Sequence, residues 1–443
     1  MKKNSLFILI AWIGLIESSK SATYSVFSGQ SIQAKIDAAS SGDTVAIFGG
    51  SYAENLTISK DVRLQLVAGQ TVTLAGNITF SGLSSAYTFA NFTWGGQTDK
   101  TITISDCRNF TINGINSPAG SITATGLNTV AKIFATSLTS GGITVSGGAK
   151  VQGIQSSCTG ITVNGSSTAD FARCNITGVV STDGLVSRAS FSRCIITETL
   201  DSSAINTYVS YCTLRLFIQR ANGKAYLVGN TINERSAEGN VTVRGYESAT
   251  IVALNNIIRD GASYSYNGQP NFAVYLTSGA KIIAQNNIIY NYAGYYDDRV
   301  IYLEGSQNNR ISCNIGHTIQ DTFITAPFAN NTVTYNLSQT GADGGVLVQN
   351  RVNADPAFVD TTDFVLGVTS PARNAGDPDP RFNDIDGTRN DMGIYGGPFY
   401  DPEGRTGSKP VVMQMELDQT QFLKGDYSTL KLKAVGSATG TAP

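Results

Sequence analysis

Short runs in which apolar and polar residues alternate fill most of this chain, from about residue 71 to residue 350. In Thr101-Ile-Thr-Ile104 and Gly142-Ile-Thr-Val145 the apolar residues stand two apart, which places them on one side of a β-strand. Strands of about six residues joined by turns of about two to four residues give coils of roughly 20 residues. The pattern therefore predicts a chain of many short strands.

Seven similar stretches recur in this region, and each joins a small or amide residue to an apolar pair. They are FARCNIT (171–177), FSRCIIT (191–197), VSYCTLR (209–215), YLVGNTI (226–232), VALNNII (252–258), IAQNNII (283–289) and RISCNIG (310–316). Aligned on the fourth letter, they predict one stacked column made of Cys174, Cys194, Cys212, Gly229, Asn255, Asn286 and Cys313. A repeat of this length without a helical pattern indicates a β-solenoid.

Parallel crossovers within one sheet are almost always right-handed, so the predicted fold class is all-β, a right-handed parallel β-helix. At about 4.8 Å per coil, a dozen coils make a rod on the order of 60 Å long, which we expect to be monomeric. Asn255, Asn256, Asn286 and Asn287 are expected to form hydrogen-bonded ladders at the turns.

An amphipathic helix is predicted before the first coil. Ile32, Ile36 and Ala39 share one helical face, and Ser31 is a suitable N-cap. Residues 31–66, SIQAKIDAASSGDTVAIFGGSYAENLTISKDVRLQL, resemble the opening of pectin-lyase-like right-handed parallel β-helix proteins of the bacterial secreted or surface type. The resemblance implies the fold, whose members include lyases, hydrolases and adhesins, and it implies no particular activity.

A second block, residues 354–397, is similar to the C-terminal closing segment of bacterial surface β-helix proteins. It contains Asp-Pro-x-Phe, Ser-Pro-Ala and Asn-Ala-Gly in order and ends in Tyr-Gly-Gly. Residues 401–410 have the composition of a linker, and the alternation from Val411 to Val435 is typical of the first strands of an Ig-like or β-sandwich domain. The predicted organisation is a signal peptide (1–22), an N-terminal cap (23–45), the β-helix (46–350), a closing segment (351–400), and a linker with the start of another domain (401–443).

The first residues have the composition of a secretory signal peptide: Lys2 and Lys3, an apolar run from Leu6 to Ile16, and small residues up to Ala22. We expect the chain to be secreted or to lie at the cell surface. We expect no membrane span once the signal is removed, since the apolar run is too short. With a net charge of −2, nucleic acid is an unsuitable partner.

The six cysteines are predicted to be free thiols that act as small buried hydrophobes, although export permits disulfides. Equivalent side chains in neighbouring coils run parallel, whereas a disulfide needs converging Cβ vectors. With no C-x-x-C motif and a single histidine, His317, a zinc or haem site is not expected.

The candidate binding site lies in the wider coils between residues 230 and 313, where the repeat steps lengthen and the extra residues must leave the rod as loops. Tyrosines present an apolar ring with a polar tip, which suits sugars, and charged groups bind hydroxyls or uronates. The candidate ligand-binding residues are Tyr264, Tyr266, Tyr292, Tyr295, Tyr296, Asp297, Asp298 and Arg299. The alternative is that these tyrosines only pack the loops onto the rod.

Calcium is the one cofactor that the sequence suggests. Asp384 and Asp386 stand at an Asp-x-Asp-Gly turn, and Asp391 is a third oxygen donor for a structural Ca²⁺ ion. The alternative is that these aspartates cap turns and pair with arginines.

Three functions remain open from the sequence. The first is a scaffold that binds a polysaccharide or cell-surface glycan without catalysis. The second is a polysaccharide lyase or glycoside hydrolase acting beside the wide coils, and the third is a structural stalk. No diagnostic catalytic motif is present: Asp297-Asp298 and Gly316-His317 echo polygalacturonases only in part, and catalytic residues are not assigned.

Overall fold

The chain forms a parallel β-solenoid of about 13 turns, which confirms the predicted all-β fold class. The structure is a computed structural model that describes residues 21–95, 100–220, 222–234, 241–260, 272–277, 279–291, 299–317, 322–326, 330–339, 343–344, 346–351, 353–404, 411–417 and 432–437. Within these ranges there is one α-helix.

The helix and the first strands build the N-terminal end of the rod. They are β1 (Thr23–Val26), α1 (Ile32–Ala38), β2 (Thr44–Ile47), β3 (Gly50–Tyr52), β4 (Leu56–Ile58), β5 (Arg63–Leu66), β6 (Val72–Leu74), β7 (Ile78–Ser81), β8 (Tyr87–Ala90) and β9 (Thr93–Trp94).

The following coils make up the rest of the rod. The first of them contain β10 (Thr101–Ser105), β11 (Phe110–Asn113), β12 (Asn116–Ser117), β13 (Ser121–Thr125), β14 (Val130–Phe134), β15 (Ser137–Leu138), β16 (Ile143–Val145), β17 (Lys150–Ile154), β18 (Ser157–Cys158), β19 (Ile161–Val163), β20 (Thr168–Ala172), β21 (Asn175–Ile176), β22 (Val180–Thr182), β23 (Arg188–Ser192), β24 (Ile195–Ser202), β25 (Asn206–Ser210), β26 (Thr213–Gln219), β27 (Lys224–Val228) and β28 (Thr231–Glu234). The later ones contain β29 (Val241–Gly245), β30 (Thr250–Leu254), β31 (Ile257–Asp260), β32 (Phe272–Leu276), β33 (Lys281–Gln285), β34 (Ile288–Asn291), β35 (Arg299–Leu303), β36 (Arg310–Ser312), β37 (Ile315–His317), β38 (Thr322–Ala326), β39 (Thr332–Thr334), β40 (Leu337–Ser338), β41 (Asp343–Gly344) and β42 (Val346–Val348).

The strands line three faces of the rod, and each strand pairs in parallel with its equivalents in the neighbouring coils. Face one runs from β4 and β7 through β10 and β13 to β41, face two from β8 and β11 to β42, and face three from β3 and β6 to β40. Faces one and three join into one 26-stranded sheet, because β24 and β26 continue through the corner between them. Face two is a 13-stranded sheet.

The core is made of inward side chains that stack in register from coil to coil. On face one, Ile102, Ile122, Ile143, Ile161 and Val180 occupy one such column, and each is at most 2% exposed. A shift of one residue would turn every one of them outward, so the alternation seen in the sequence specifies the register.

The predicted N-terminal helix is present, and its contacts explain its position. Ser31 accepts the N–H of Ala34 through its side chain at 3.0 Å, and Ile32 and Ile36 are buried against the core. The carboxylate of Glu54 accepts the N–H of Ile32 at 2.6 Å and the hydroxyl of Ser31 at 2.7 Å. A carboxylate at a helix N-terminus satisfies donors that have no partner within the helix.

The corner between faces two and three contains a turn residue with positive φ, followed by a buried residue. In later coils the turn residues are Arg173, Arg193, Tyr211, Gly229, Asn255, Asn286 and Cys313. The buried residues that follow them are Cys174, Cys194, Cys212, Asn230, Asn256, Asn287 and Asn314. The single column predicted from the sequence was therefore wrong, because it mixed these two positions. Its first three members are buried residues, whereas its last four are turn residues. Cys212 is equivalent to Asn230, not to Gly229.

The asparagine ladder also differs from the prediction. Asn256 and Asn287 are buried rungs, whereas Asn255 and Asn286 point away from the rod and bind the chain that follows the last coil. All six cysteines are free and buried, as predicted.

Residues 353–404, called the C-terminal segment below, lie along the side of the rod. Their apolar residues cover a column on face three made of Ile257, Ile288, Ile315 and Leu337. The segment contains β43 (Phe358–Asp360), β44 (Val365–Leu366) and a short 3-10 helix, Pro380–Phe382. Beyond it, β45 (Val411–Leu417) and β46 (Leu432–Ser437) form an antiparallel pair.

Candidate functional site

The wide coils lengthen at a single corner of the rod. Residues 235–240, 261–271 and 292–298 each connect a strand of face three to the next strand of face one. Of the predicted ligand-binding residues, Tyr264, Tyr266, Tyr292, Tyr295, Tyr296, Asp297 and Asp298 lie outside the described residues. Arg299 begins β35 on face one, and its side chain also lies outside the described part. That these groups form a site stays a prediction.

The outward side chains of face one change in character along the rod. Its central outward column begins with hydroxyls, such as Thr103, Thr123, Thr144 and Thr162. Further along the rod the same column holds Asp201, Ile218, Arg244, Tyr275 and Tyr302. The hydroxyl-bearing part of the column thus ends before Asp201, and the aromatic part, Tyr275 and Tyr302, lies in the wide coils.

Four aromatic residues beside this corner and one arginine between them form a continuous row, called the tyrosine column below: Tyr246, Arg244, Phe272, Tyr275 and Tyr302. The rings of Tyr275 and Tyr302 lie 5.8 Å apart at an interplanar angle of 15°. Phe272 lies 5.1 Å from Tyr275 and 5.2 Å from Tyr302. Because these rings stack on one another, their edges and hydroxyls, and not their faces, are what the column offers to a ligand.

Arginines extend the stack. The guanidinium of Arg244 lies 5.2 Å from the ring centre of Tyr246 and 5.1 Å from that of Tyr275. Its Nε is buried and has no hydrogen-bond partner in the structure. Arg220 lies 5.5 Å from the ring centre of Tyr246 and forms a two-bond pair with Asp201 at 2.7 and 2.6 Å. Arg244 is therefore held by aromatic rings, a position in which a guanidinium keeps its capacity to donate to an anionic or polar ligand.

The hydroxyl of Tyr275 donates to the Oε2 atom of Glu304. Burial and this carboxylate raise the pKa of Tyr275 to about 12. The phenol consequently stays protonated at neutral pH and donates to this carboxylate beside the column.

A second site is a cavity of about 280 Å³ between the rod and the C-terminal segment. Its walls combine three tyrosines and two aspartates with apolar and amide residues: Tyr211, Gly229, Asn255, Ile257, Asp363, Ile394, Tyr395, Tyr400, Asp401 and Pro402. The lining residues of the rod, such as Tyr211, are far in sequence from those of the C-terminal segment, such as Tyr400. The cavity therefore exists only because the segment folds back along the rod.

Glycines make room for one wall of this cavity. A Cβ atom on Gly404 would lie 2.1 Å from the ring of Tyr211, and one on Gly229 would lie 2.3 Å from the same ring. The Nε of Arg193 donates to the carbonyl oxygen of Gly404 at 2.7 Å. The ring of Tyr211 is therefore in close contact with both the next coil and the end of the segment.

The sequence did not indicate this cavity, because residues 401–404 have the composition of a linker. The available signal was the pair of glycines, Gly229 and Gly404, but nothing in the sequence shows that both meet one tyrosine.

The three candidate calcium ligands each accept hydrogen bonds from the backbone of the C-terminal segment. Asp384 accepts from the N–H groups of Gly397 at 2.6 Å and Asp391 at 3.1 Å. Asp386 accepts from Thr388, and Asp391 accepts from the N–H of Asn374 at 2.5 Å. Within the described ranges no group of three or more His, Cys, Asp or Glu side chains is arranged to hold a metal ion. The calcium site stays a prediction that these contacts do not test.

His317 ends β37 and contacts aromatic rings. Its ring lies 5.4 Å from that of Tyr290 and 5.1 Å from that of Phe358. Burial lowers its pKa, and its Nδ1 is buried without a hydrogen-bond partner. These contacts fit a neutral packing residue under the C-terminal segment.

In comparisons with known proteins, no family model and no curated protein matches the chain. Among the described residues no helix is long and apolar enough to cross a membrane.

Proposed function

We propose that this chain is an exported β-helix scaffold that binds polysaccharide along face one, at the tyrosine column and the neighbouring corner. It binds the polysaccharide without catalysing its cleavage. The main support for this proposal is the tyrosine column, in which Arg244, Tyr275 and Tyr302 occupy equivalent positions in three successive coils.

Geometry supports an extended ligand. Equivalent groups on neighbouring coils repeat at about 4.8 Å, close to the length of one sugar ring in an extended chain. A polysaccharide lying along the rod would therefore meet a similar set of donors at each coil. Since the rings of the column stack on one another, we expect hydrogen bonds from hydroxyls and from Arg244 to contribute more than ring stacking.

Three further observations support an exported, polysaccharide-binding scaffold. The N-terminal residues have the composition of a signal peptide, which supports export. The opening of the chain resembles pectin-lyase-like β-helix proteins of the bacterial surface, which supports an extracytoplasmic role. In chain order, the segments 261–271 and 292–298, which contain the predicted residues Tyr264 to Asp298, come directly before the face-one strands β32 and β35.

The test measures the binding of the mature chain to a panel of neutral and carboxylated polysaccharides. The Tyr302→Phe variant keeps the ring stack and removes one hydroxyl, and Arg244→Ala removes the guanidinium. We expect each change to weaken binding by about tenfold, since each removes hydrogen bonds to the ligand.

The matched control is Tyr226→Phe on face two. Tyr226 also stacks on a tyrosine, Tyr208, at 5.1 Å, and carries a cation, Lys224, 4.7 Å from its ring centre. Its variant should bind like the parent protein. Equal losses in all three variants, or no binding by the parent, would refute the proposal. The release of unsaturated or reducing sugar products would show that the scaffold is an enzyme.

A further inference from the structure

The cavity beneath the C-terminal segment has the composition of an aromatic cage. The rings of Tyr395 and Tyr400 lie 5.4 Å apart at an interplanar angle of 73°, so they form two walls that meet nearly at a right angle. Tyr211 supplies a third aromatic wall from the rod. Ile257 and Ile394 supply apolar surface.

The walls are held in place by hydrogen bonds between lining residues and to the neighbouring backbone. The hydroxyl of Tyr395 donates to the carbonyl oxygen of Asp363 at 2.7 Å. The side-chain nitrogen of Asn255 donates to the carbonyl oxygens of Ile394 and Gly396 at 2.9 and 2.8 Å. The cage therefore exists before any ligand binds, and a ligand does not have to order it.

The charge of the lining is negative. Asp363 and Asp401 both line the cavity, and no Lys, Arg or His does. Two arginines lie near the cavity: Arg193 donates to Gly404, and its pKa is lowered by burial and by the neighbouring charge of Arg173, while Asp401 acts in the opposite direction. Neither arginine lines the cavity, so the lining itself carries two carboxylates and no positive charge.

An electron-rich cage with carboxylates attracts a cation that is weakly hydrated. Ring faces attract cations through their quadrupole, and quaternary ammonium groups are the ligands that aromatic cages recognise. The cavity volume of about 280 Å³ is at the small end for a ligand pocket, which favours a small headgroup over a sugar chain.

We propose that the cavity lined by Tyr211, Tyr395, Tyr400, Asp363 and Asp401 is a binding site for a quaternary alkylammonium group. This site is separate from the tyrosine column on face one, and neither site depends on the other for its ligand.

The experiment compares two ligands of nearly the same shape by titration calorimetry on the full chain. Choline carries the charged trimethylammonium group, and 3,3-dimethylbutan-1-ol replaces its nitrogen with carbon. We expect choline to bind at least about tenfold more tightly than the neutral alcohol. Equal affinity for the two, or no binding of choline at millimolar concentration, overturns the proposal.

Variants then locate the site. Tyr400→Phe keeps the ring face and should retain choline binding, whereas Tyr400→Ala and Asp401→Asn should each weaken it by several-fold. Tyr226→Ala on face two is the control and should change nothing. If Tyr400→Ala binds choline like the parent, the assignment to this cavity is wrong.

Limited proteolysis of each variant reports whether the C-terminal segment stays docked. Should Tyr400→Ala release the segment, the choline comparison in the parent protein and in Tyr400→Phe still decides the proposal. Polysaccharide binding by the cage variants should equal that of the parent, so failure of one proposal is distinguishable from failure of the other.

Discussion

The backbone N–H of Cys212 donates a hydrogen bond of 2.9 Å to the side-chain oxygen of Asn230 in the next coil. The same bond is repeated along the rod, from Asn230 to Asn256, Asn287, Asn314, Asn336 and Asn350. Each rung also donates through its side-chain nitrogen, so a buried amide ladder replaces apolar packing at this corner.

Removing one rung should destabilise the whole rod. Asn287 accepts from the backbone and side-chain nitrogens of Asn256, both at 2.9 Å, and donates to Ala253 and Asn314, also at 2.9 Å. Asn287→Ala leaves several buried groups without partners, at about 1–3 kcal/mol each. We expect a loss of about 3–6 kcal/mol in the free energy of unfolding, measured by urea denaturation.

The matched control is Asn330→Ala, because the amide of Asn330 bonds Gln307 at an exposed position. Its midpoint of unfolding should stay near that of the parent. Equal midpoints for Asn287→Ala and Asn330→Ala would mean that the ladder does not stabilise the rod.

A complementary change should extend the ladder by one rung. The N–H of Cys194 already approaches the sulfur of Cys212 at 3.3 Å, as the N–H of Cys212 approaches the oxygen of Asn230. Cys212→Asn places a stronger acceptor at the same point, so we expect a change within about 1 kcal/mol or a gain. Cys212→Leu lacks the acceptor and should lose stability in the same denaturation assay. A large loss in Cys212→Asn would show that its side chain does not continue the ladder.

Much of the rod follows from the sequence, because alternation specifies which side chains point inward. The inward column that begins at Ile102 and includes Val180 shows this, because the period-two pattern alone places its members in the core. The corner was harder to predict, since a turn residue with positive φ precedes the buried one. An arginine, a tyrosine, a glycine, an asparagine or a cysteine fills that turn position, so Gly229 was aligned with Cys212 although Asn230 is its equivalent.

The candidate sites followed from the sequence only in part. Tyr246, Tyr275 and Tyr302 belong to the wide coils that the repeat lengths identified, and the structure brings them into one column. The cavity joins Tyr211 to Tyr400, and no local pattern indicates a contact between residues that far apart. Such contacts arise from the packing of the C-terminal segment on Ile257, Ile288, Ile315 and Leu337.

Gly404 offers a specific way to release that packing. A Cβ at this position would overlap the ring of Tyr211 at 2.1 Å, so Gly404→Ala should displace the end of the C-terminal segment. We expect faster proteolysis of residues 395–404 and loss of the cavity. Gly184→Ala is the control, since its Cβ would meet only the carbonyl oxygen of Ser203 at 3.9 Å. Similar cleavage of the two variants would contradict the contact.

The thiols should be inert in the folded protein. All six cysteines are buried, and burial raises the pKa of Cys158 and of Cys313 to about 12. Because the thiolate is the reactive form, a thiol reagent should label none of them at neutral pH and all six in denaturant. Mass spectrometry of the labelled protein checks this count. Labelling of the native protein, or fewer than six labels in denaturant, would indicate exposed or oxidised cysteines.

Asp384 and Asp386, two residues apart in one loop, should respond to pH in opposite ways. Burial raises the pKa of Asp384 to about 6, against the lowering effect of the N–H groups of Gly397 and Asp391. The folded state then keeps this proton to a higher pH than the unfolded state, so its contribution is complete below about pH 4 and is lost as the pH rises to about 6. Because Asp384 is only half-buried, we expect a fall on the order of 1 kcal/mol.

Asp386 provides the internal control for this prediction. Hydrogen bonds from the side chain and backbone of Thr388 lower its pKa, so its contribution is present above the unfolded pKa and is lost on acidification. Urea denaturation across this pH range should show the fall in the parent and in Asp386→Asn, and a flatter profile in Asp384→Asn. If Asp384→Asn retains the full fall, another group is responsible for it, and burial of the Asp384 carboxyl does not limit the stability of the folded chain near neutral pH.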